Sequence, residues 1–147
     1  MRHVYLSGSI CTNPVSMKWR QDVVLPLGAA GIACLDPCRG KKLEDLVHNG
    51  LDIPGVMAGG AFVARDLLDI RRSSAVLLHW WGDPGRQSIG TFFEFGYAVR
   101  HLIPVVVSDP TNAIAAHPFV HRNAAAVFTG PEAQAKALEY LVAVLGE

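Results

Sequence analysis

The sequence Ala75-Val76-Leu77-Leu78-His79-Trp80 is followed by a polar loop over 82–87, then by Ser88-Ile89-Gly90-Thr91-Phe92-Phe93-Glu94-Phe95-Gly96-Tyr97-Ala98, and finally by Ile103-Pro104-Val105-Val106-Val107. The first and last runs are apolar, as expected for parallel strands that are covered on both faces. The segment between them predicts the crossover helix of a β–α–β unit. In this interpretation Glu94 lies in the first turn of that helix.

The same alternation of strand and helix patterns extends in both directions from this unit. Strand patterns cover 3–6, 31–35, 75–80, 103–107 and, more weakly, 124–128. Helical patterns cover 17–30 and 61–72, begin again near Thr91, and end with 131–145. Strands alternating with helices predict an α/β fold. We expect a single domain spanning 1–147, with a doubly wound, flavodoxin- or Rossmann-like sheet of about five parallel strands flanked by helices.

Local signals refine this outline. Pro26 predicts a break or kink in the first helix because proline has no amide donor. Thr129-Gly130-Pro131-Glu132 has the pattern of a capping box before the last helix. Two long irregular stretches, 36–60 and 107–122, follow strand ends, so we expect both to flank one crevice and to wall a substrate.

Composition narrows the class of ligand. Half of the 147 residues are hydrophobic, 18% are charged, and the formal net charge is zero. No basic or acidic block points to nucleic acid or to a membrane surface, so a small metabolite or a protein partner is expected. The chain starts directly in a strand pattern without a leader, which predicts a cytoplasmic protein. Cys11, Cys34 and Cys38 lack metal-ligand spacing, so we expect neither a metal site nor a disulfide framework.

Glu94 is the residue with the clearest chemical potential. Open α/β sheets bind ligands at the carboxyl ends of their strands, where this side chain is predicted to lie. A helix N-terminus favours an ionised carboxylate, and such a carboxylate suits nucleophilic attack on an electrophilic sugar carbon. The alternative is an ordinary N-terminal glutamate that makes a favourable contact with the helix dipole.

Four segments in order resemble one family. They are Val4-Tyr5-Leu6-Ser7-Gly8-Ser9, Ala64-Arg65-Asp66-Leu67, the motif Gly90-Thr91-x-x-Glu94-x-Gly96-x-Ala98, and Pro104-Val105-Val106-Val107. Together they resemble the nucleoside 2-deoxyribosyltransferase family, which includes base-exchanging transferases and an N-glycosidase branch that hydrolyses nucleoside 5′-monophosphates. The resemblance implies that Glu94 is the nucleophile, that Tyr5 hydrogen-bonds it, and that no cofactor is needed.

The acidic residues of the second helix are the next candidates. Asp66 matches the family's Asp-Leu element, which implies that it orients the sugar or the catalytic loop. A solvated helical acid is the alternative for Asp66, and it is the favoured interpretation for Asp69. The chain departs from the family at Ser74, where most members carry an aspartate that manages the proton of the base or contacts the substrate. Three alternatives follow: Asp69 or another acid replaces the missing aspartate, water protonates the leaving base, or catalysis is slower than in the family.

The residues expected near the 5′-phosphate distinguish the transferases from the monophosphate hydrolases. Base-exchanging members carry an aspartate where this chain has Ser88, whereas the monophosphate hydrolases carry serine, which does not repel a phosphate dianion. Gly8 and Ser9 resemble the hydrolases' phosphate loop, although the match ends at Cys11. Gly90 and Thr91 belong to the nucleophile motif and are expected to bind substrate. Arg86 is a candidate phosphate ligand, with a solvated loop arginine as the alternative.

The remaining predictions concern the residues that bind the nucleobase and the oligomeric state. Arg39 is expected to hydrogen-bond the nucleobase and Trp80 to stack on it, with simple packing as the alternative for the tryptophan. By the same resemblance, His117 reaches the 5′-end in a neighbouring subunit's site. Phenylalanines on the third helix and neutral charge favour a homodimer or higher homo-oligomer.

These observations converge on one enzyme activity and two alternatives. We expect cleavage of the N-glycosidic bond of a nucleoside 5′-monophosphate or (deoxy)nucleoside through a covalent glycosyl-Glu94 intermediate, with hydrolysis of the monophosphate preferred. The first alternative is a 2-deoxyribosyltransferase that exchanges bases between deoxynucleosides. The second is a catalytically weak nucleotide-binding or sensing module, which Ser74 favours.

Overall fold

Five strands and five helices alternate along the chain in a computed structural model, which describes residues 1–10, 14–39, 59–81 and 88–146. The elements are β1 (Arg2–Ser7), α1 (Pro14–Ala29), β2 (Ile32–Leu35), α2 (Gly59–Arg72), β3 (Ala75–His79), α3 (Ile89–Arg100), β4 (Val105–Asp109), α4 (Pro118–Asn123), β5 (Ala126–Thr129) and α5 (Ala133–Leu145).

The strands form one parallel sheet in the order β2-β1-β3-β4-β5. The register pairs Tyr5 with Val76 and Leu78 with Val107, so the carboxyl ends of β1, β3 and β4 lie side by side. The order reverses direction beside β1, which makes the carboxyl edge between β1 and β3 the place where such sheets bind ligands. The predicted five-stranded α/β fold is confirmed.

A hydrophobic core covers each face of the sheet because successive strand residues point to opposite sides. Val4 and Leu6 of β1 pack with α1 and α5, whose contributions to that core are Trp19, Val23, Leu27, Ala137 and Leu141. Tyr5 belongs to the other core, together with residues of α2 and α3 that include Ile70, Phe95 and Ala98. Burial on both faces explains the uninterrupted apolar runs of β3 and β4.

Three local predictions were wrong. Helix α1 is not broken by Pro26, because the proline lies in the last turn of the helix and is exposed. The backbone carbonyl one turn earlier lacks its usual amide donor, and water can bind it instead. The capping box does not form: Gly130 adopts a left-handed conformation with φ of +83°, and Glu132 becomes the N-cap without a side-chain cap hydrogen bond. The stretch 107–122, expected to be irregular, instead begins with the last residues of β4 and ends within helix α4.

The start of α3 also differs from the prediction, and this difference changes the expected surroundings of Glu94. The helix begins at Ile89, with Ser88 as its N-cap, so Glu94 is the sixth helical residue and lies in the second turn. The dipole effect of a helix declines within its first turn. The ionisation of Glu94 must therefore depend on other groups.

Within the described part of the chain, no helix combines the length and apolarity that crossing a membrane requires. The same residues contain no cluster of three or more His, Cys, Asp or Glu side chains that could hold a metal ion.

Candidate active site

The Glu94 carboxylate lies against the carboxyl end of β1, where it accepts one hydrogen bond on each oxygen. The Tyr5 hydroxyl donates to Oε1 at 2.8 Å, and the Ser7 hydroxyl donates to Oε2 at 2.5 Å. Tyr5 and Ser7 are two positions apart in β1, so both point to the α2/α3 side of the sheet. Both residues are fully buried. The two donors therefore define the position of the carboxylate.

The electrostatics of Glu94 combine opposing influences. Burial raises the pKa of Glu94 most, and the negative charge of Asp66 raises it further, while the hydrogen bonds from Ser7 and Tyr5 and the charge of Arg20 lower it. The net effect is a pKa above the usual value for glutamate. Burial and the charge of Glu94 also raise the pKa of Tyr5, so its hydroxyl remains a donor.

Asp66 is buried rather than solvated, which overturns the alternative interpretation of this residue. It is 5% exposed, and its Oδ1 accepts hydrogen bonds from Nε and Nη2 of Arg65 at 3.2 and 3.0 Å. Nη2 of Arg65 also donates to the carbonyl of Pro37 at 2.6 Å, which ties α2 to the segment after β2. The charge of Asp66 raises the pKa of both Glu94 and Tyr5, which indicates that Asp66 lies near the Glu94 carboxylate.

The favoured interpretation of Asp69 as a solvated acid was wrong. Asp69 is 1% exposed and forms ion pairs with Arg39 and with Arg72, the latter at 2.8 Å. A buried carboxylate is tolerated where cations compensate its lost hydration. Asp69 thereby holds the guanidinium of Arg39, which also donates to the Asp36 carbonyl at 2.9 Å.

Ser74 lies at the opposite edge of the sheet from Glu94. Its amide donates to the His3 carbonyl at 2.8 Å, immediately before β3 begins at Ala75. Five strand residues separate it from the carboxyl edge, a distance of about 16 Å at 3.3 Å per residue. A side chain at this position is remote from the nucleophile candidate, so the serine removes no carboxylate from this site.

Ser88 and Thr91 organise the first turn of α3. The Ser88 side chain caps the helix by accepting from the Thr91 amide at 3.4 Å, and the two hydroxyls are 2.5 Å apart. Thr91 is buried, whereas Gly90 is exposed, with open space where a Cβ would lie. Of the residues that the sequence singled out, Ser88, Gly90 and Thr91 thus share the first turn of α3.

The turn after β1 is tightly packed at Gly8. A Cβ there would lie 2.7 Å from the His79 carbonyl oxygen and 2.9 Å from the Trp19 ring, so only glycine fits. Arg20 supports this turn, because its guanidinium donates to the carbonyls of Leu6 and Gly8. Ser9 follows and is partly exposed at the same edge.

The remaining candidates lie in different surroundings. Trp80 is partly buried and packs on Phe92 of α3, with ring centroids 5.1 Å apart. His117 is exposed at the N-cap of α4, where Nδ1 accepts from the Phe119 amide at 3.4 Å. Among described residues, no contact joins His117 to the Glu94 carboxylate. Arg86 and Cys11 lie outside the described residues.

Two buried residues of the site were missed in the sequence, Ser7 and Arg20. The signal for Ser7 was available, because it shares a strand face with Tyr5 at a spacing of two. No local pattern marked Arg20, which is 2% exposed and stacks on Trp19 with 4.5 Å between the guanidinium carbon and the ring centroid.

No protein-family model matches the chain, and no curated protein matches it. Solved structures do resemble it. The 2-deoxyribosyltransferase from the psychrotolerant bacterium Bacillus psychrosaccharolyticus aligns with a TM-score of 0.66 at 17% identity, covering 92% of this chain and 90% of its own. The CMP N-glycosidase BcmB from Clostridium botulinum aligns with a TM-score of 0.64 at 15% identity, covering 95% and 98%. A conserved protein from Enterococcus faecalis V583 aligns with a TM-score of 0.71 at 14% identity, covering 99% of both chains. This chain therefore has the fold of a 2-deoxyribosyltransferase and of a CMP N-glycosidase.

Proposed function

We propose that the chain cleaves the N-glycosidic bond of a nucleoside 5′-monophosphate or a (deoxy)nucleoside, with Glu94 as the nucleophile. The observation that carries this proposal is the Glu94 carboxylate, held by one donor on each oxygen at the carboxyl edge of the sheet. Glycosidic cleavage requires departure of a nitrogen base and stabilisation of positive charge at the anomeric carbon. A positioned carboxylate supplies both an attacking oxygen and a compensating negative charge.

The reaction proceeds in two steps. A Glu94 oxygen bonds to the anomeric carbon while the bond between that carbon and the base nitrogen breaks. The electron pair of the broken bond leaves with the base, which takes up a proton from water. A water molecule then attacks the anomeric carbon of the glycosyl ester and gives up a proton to solvent, which releases the sugar phosphate and restores the carboxylate. Asp66 is our candidate for orienting the sugar, because its charge acts on Glu94 and Tyr5.

Hydrolysis of the monophosphate is the preferred form of this activity. Ser88 is a neutral N-cap, and the first turn of a helix presents backbone amides that suit an anion. We assign the 5′-phosphate to this turn, with Gly90 and Thr91, and to the loop that contains Gly8 and Ser9. Arg86 is our candidate for an additional phosphate ligand.

We assign the base to the side chains of Arg39 and Trp80. Arg39, which Asp69 and the Asp36 carbonyl hold in place, retains a side chain that is 37% exposed and so has donors available to a nucleobase. Trp80 is our candidate for stacking against the base, since it is only partly covered by Phe92.

Two alternatives keep the same pocket. In a 2-deoxyribosyltransferase, a second base rather than water opens the glycosyl ester. A nucleotide-sensing module without turnover is less well supported, because Ser74, the residue that favoured it, lies at the far edge of the sheet.

We also propose that the active form is a homodimer or a higher homo-oligomer. Helix α3 exposes three large apolar side chains beside the site: Ile89 (81%), Phe92 (41%) and Phe93 (58%). A second copy that covers them would remove apolar surface from water and could deliver His117 to a neighbouring site. Sedimentation that shows a stable, fully active monomer would contradict this proposal.

The experiment is chromatography after incubation with a panel of nucleosides and nucleoside 5′-monophosphates, with and without an acceptor base. Free base together with a sugar phosphate indicates hydrolysis. A new nucleoside that forms only when the acceptor is present indicates transfer. Absence of any cleaved product across the panel, from protein that binds the same compounds, would indicate the sensing module instead.

A further inference from the structure

Ser7 makes a contact with Glu94 that neither the sequence motif nor the fold comparison assigns. Its hydroxyl is fully buried and donates to Oε2 at 2.5 Å, while Tyr5 occupies Oε1. Tyr5 alone would leave the carboxylate free to rotate about its last bond, because a single donor fixes only one oxygen. With a donor on each oxygen, the plane of the carboxylate is defined.

The main chain on both sides of Ser7 is held from the other face of the sheet. Arg20 on α1 donates from Nη1 to the Leu6 carbonyl at 3.0 Å and from Nη2 to the Gly8 carbonyl at 2.8 Å. These carbonyls flank Ser7, and the planar guanidinium fork fixes their separation. Arg20 is itself buried against Trp19, so this arrangement is rigid.

We propose that Ser7 is a positioning residue for Glu94, which orients the carboxylate together with Tyr5 and is itself held in place by the Arg20 fork. This inference rests on the proposed role of Glu94 as nucleophile. Because Glu94 lies in the second turn of α3, the helix N-terminus contributes little, and side-chain donors take over that function.

The effect of Ser7 on Glu94 can be isolated from that of its neighbours. Among the described residues, the charged and titratable groups that act on Glu94 are Tyr5 on β1, Asp66 on α2 and Arg20 on α1. Ser7→Ala removes only the hydroxyl and leaves all three groups in place. The hydrogen bond from Ser7 lowers the pKa of Glu94, so its removal must raise that pKa.

The first test needs no substrate. Glutamate carboxyl carbons labelled with ¹³C are titrated by NMR, and the Glu94 signal is assigned with Glu94→Gln. We expect Ser7→Ala to raise the pKa of Glu94, because a hydrogen bond to its charged form is lost, and Ser7→Thr, which keeps a hydroxyl, to leave it near that of the wild type. The matched control is Ser108→Ala, which removes an equally buried hydroxyl from the other face of the sheet. A wild-type pKa in Ser7→Ala overturns the inference.

The second test is kinetic and uses the substrate identified by chromatography. We expect Ser7→Ala to lower kcat by about 10-fold with little change in KM and to move the acid limb of the pH profile upwards, and Ser7→Thr to restore both. Equal pH profiles and kcat values for Ser7→Ala and the wild type overturn the inference but leave the proposed function intact. A wild-type protein that cleaves no glycosidic bond overturns the proposed function, while the NMR titration still reports on Ser7. Should Ser7→Ala fail to fold, Ser7→Cys, whose thiol is a weak donor, replaces it in both tests.

Discussion

Two polar clusters lie at the carboxyl edge of the same sheet, one on each face. On the α2/α3 face, Glu94 accepts hydrogen bonds from Tyr5 and Ser7. On the α1/α5 face, His79 packs on Trp19 with ring centroids 4.8 Å apart, and its Nδ1 lies 2.9 Å from the Ser108 hydroxyl.

The two clusters differ in the hydrogen bonds and charges that compensate for the burial of their polar side chains. Both oxygens of Glu94 have donors, and a nearby cation favours its charged form. Nε2 of His79 has no hydrogen-bond partner among the described residues, and burial, reinforced by the charge of Arg20, lowers the pKa of His79 to about 4. The first cluster therefore holds a group that can react as an anion, whereas the second holds a neutral ring that packs. Burial alone therefore does not indicate whether a polar side chain can react. Its hydrogen-bond partners and the charges near it determine which protonation state it holds.

Glu94→Gln tests the role of the first cluster most directly. We expect loss of turnover on the order of 10³-fold or more, while the fold remains. The folded-state pKa of Glu94 is raised, so its charge destabilises the native state as pH rises through that pKa. The variant should therefore be more stable than the wild type at neutral pH, and this advantage should shrink on acidification. Steady-state kinetics and urea melts at several pH values check both effects.

The control for that experiment is Glu139→Gln, which removes an exposed carboxylate from α5. It should leave activity and stability close to those of the wild type. A Glu94→Gln protein with near-normal turnover would exclude Glu94 as the nucleophile.

Gly8 is where the two clusters meet, and Gly8→Ala tests that contact. The added methyl would collide with the His79 carbonyl, which is backbone and cannot move easily, so we expect destabilisation by about 2 kcal/mol, or roughly 30-fold in the folding equilibrium. Gly28→Ala in α1 is the matched control, since it has open space at Cβ and should stabilise the helix by about 0.5–1 kcal/mol. Urea unfolding measures both. Equal behaviour of the two variants would show that the turn after β1 is not tightly packed.

Ser88→Asp sharpens the assignment of a ligand to the α2/α3 face. Aspartate is as good an N-cap as serine, so the fold should be retained. If a 5′-phosphate lies at this turn, the new charge should lower turnover of monophosphates by about 10-fold and spare unphosphorylated nucleosides. Ser88→Asn, a neutral N-cap, is the control. Equal kcat/KM of the wild type for a nucleoside and its monophosphate would instead favour the transferase.

The expected effect on turnover is smallest on the α1/α5 face, where His79 lies. The folded-state pKa of His79 is lowered from 6.5 to about 4, so the stability that its neutral form contributes is complete above about 6.5 and is lost as pH falls towards 4. We expect His79→Asn to weaken the acid dependence of unfolding by up to about 3 kcal/mol over this interval, without changing kcat. His121→Asn, exposed on α4, is the control. An unchanged pH dependence in His79→Asn would mean that another group governs it.

Much of the architecture was readable from local patterns, whereas the neighbours of each site residue were not. Apolar runs identified every strand to within two residues at each end, because burial on both faces leaves a continuous signal. Asp69 was misread as solvated, because its partner Arg39 is 30 residues away and no pattern in α2 reveals it.

Local sequence patterns were enough to predict the alternation of strands and helices, the parallel sheet, and Glu94 as the residue of chemical interest. The tertiary structure was needed to show that Ser7, 87 residues from Glu94, donates to it, and that Arg20 holds the turn around Ser7. It also decided that Ser74 lies at the far edge and that Glu94 lies beyond the first turn of its helix. The reason is physical: periodicity records which face of an element is buried, whereas hydrogen bonds between distant segments depend on the register in which those elements pack.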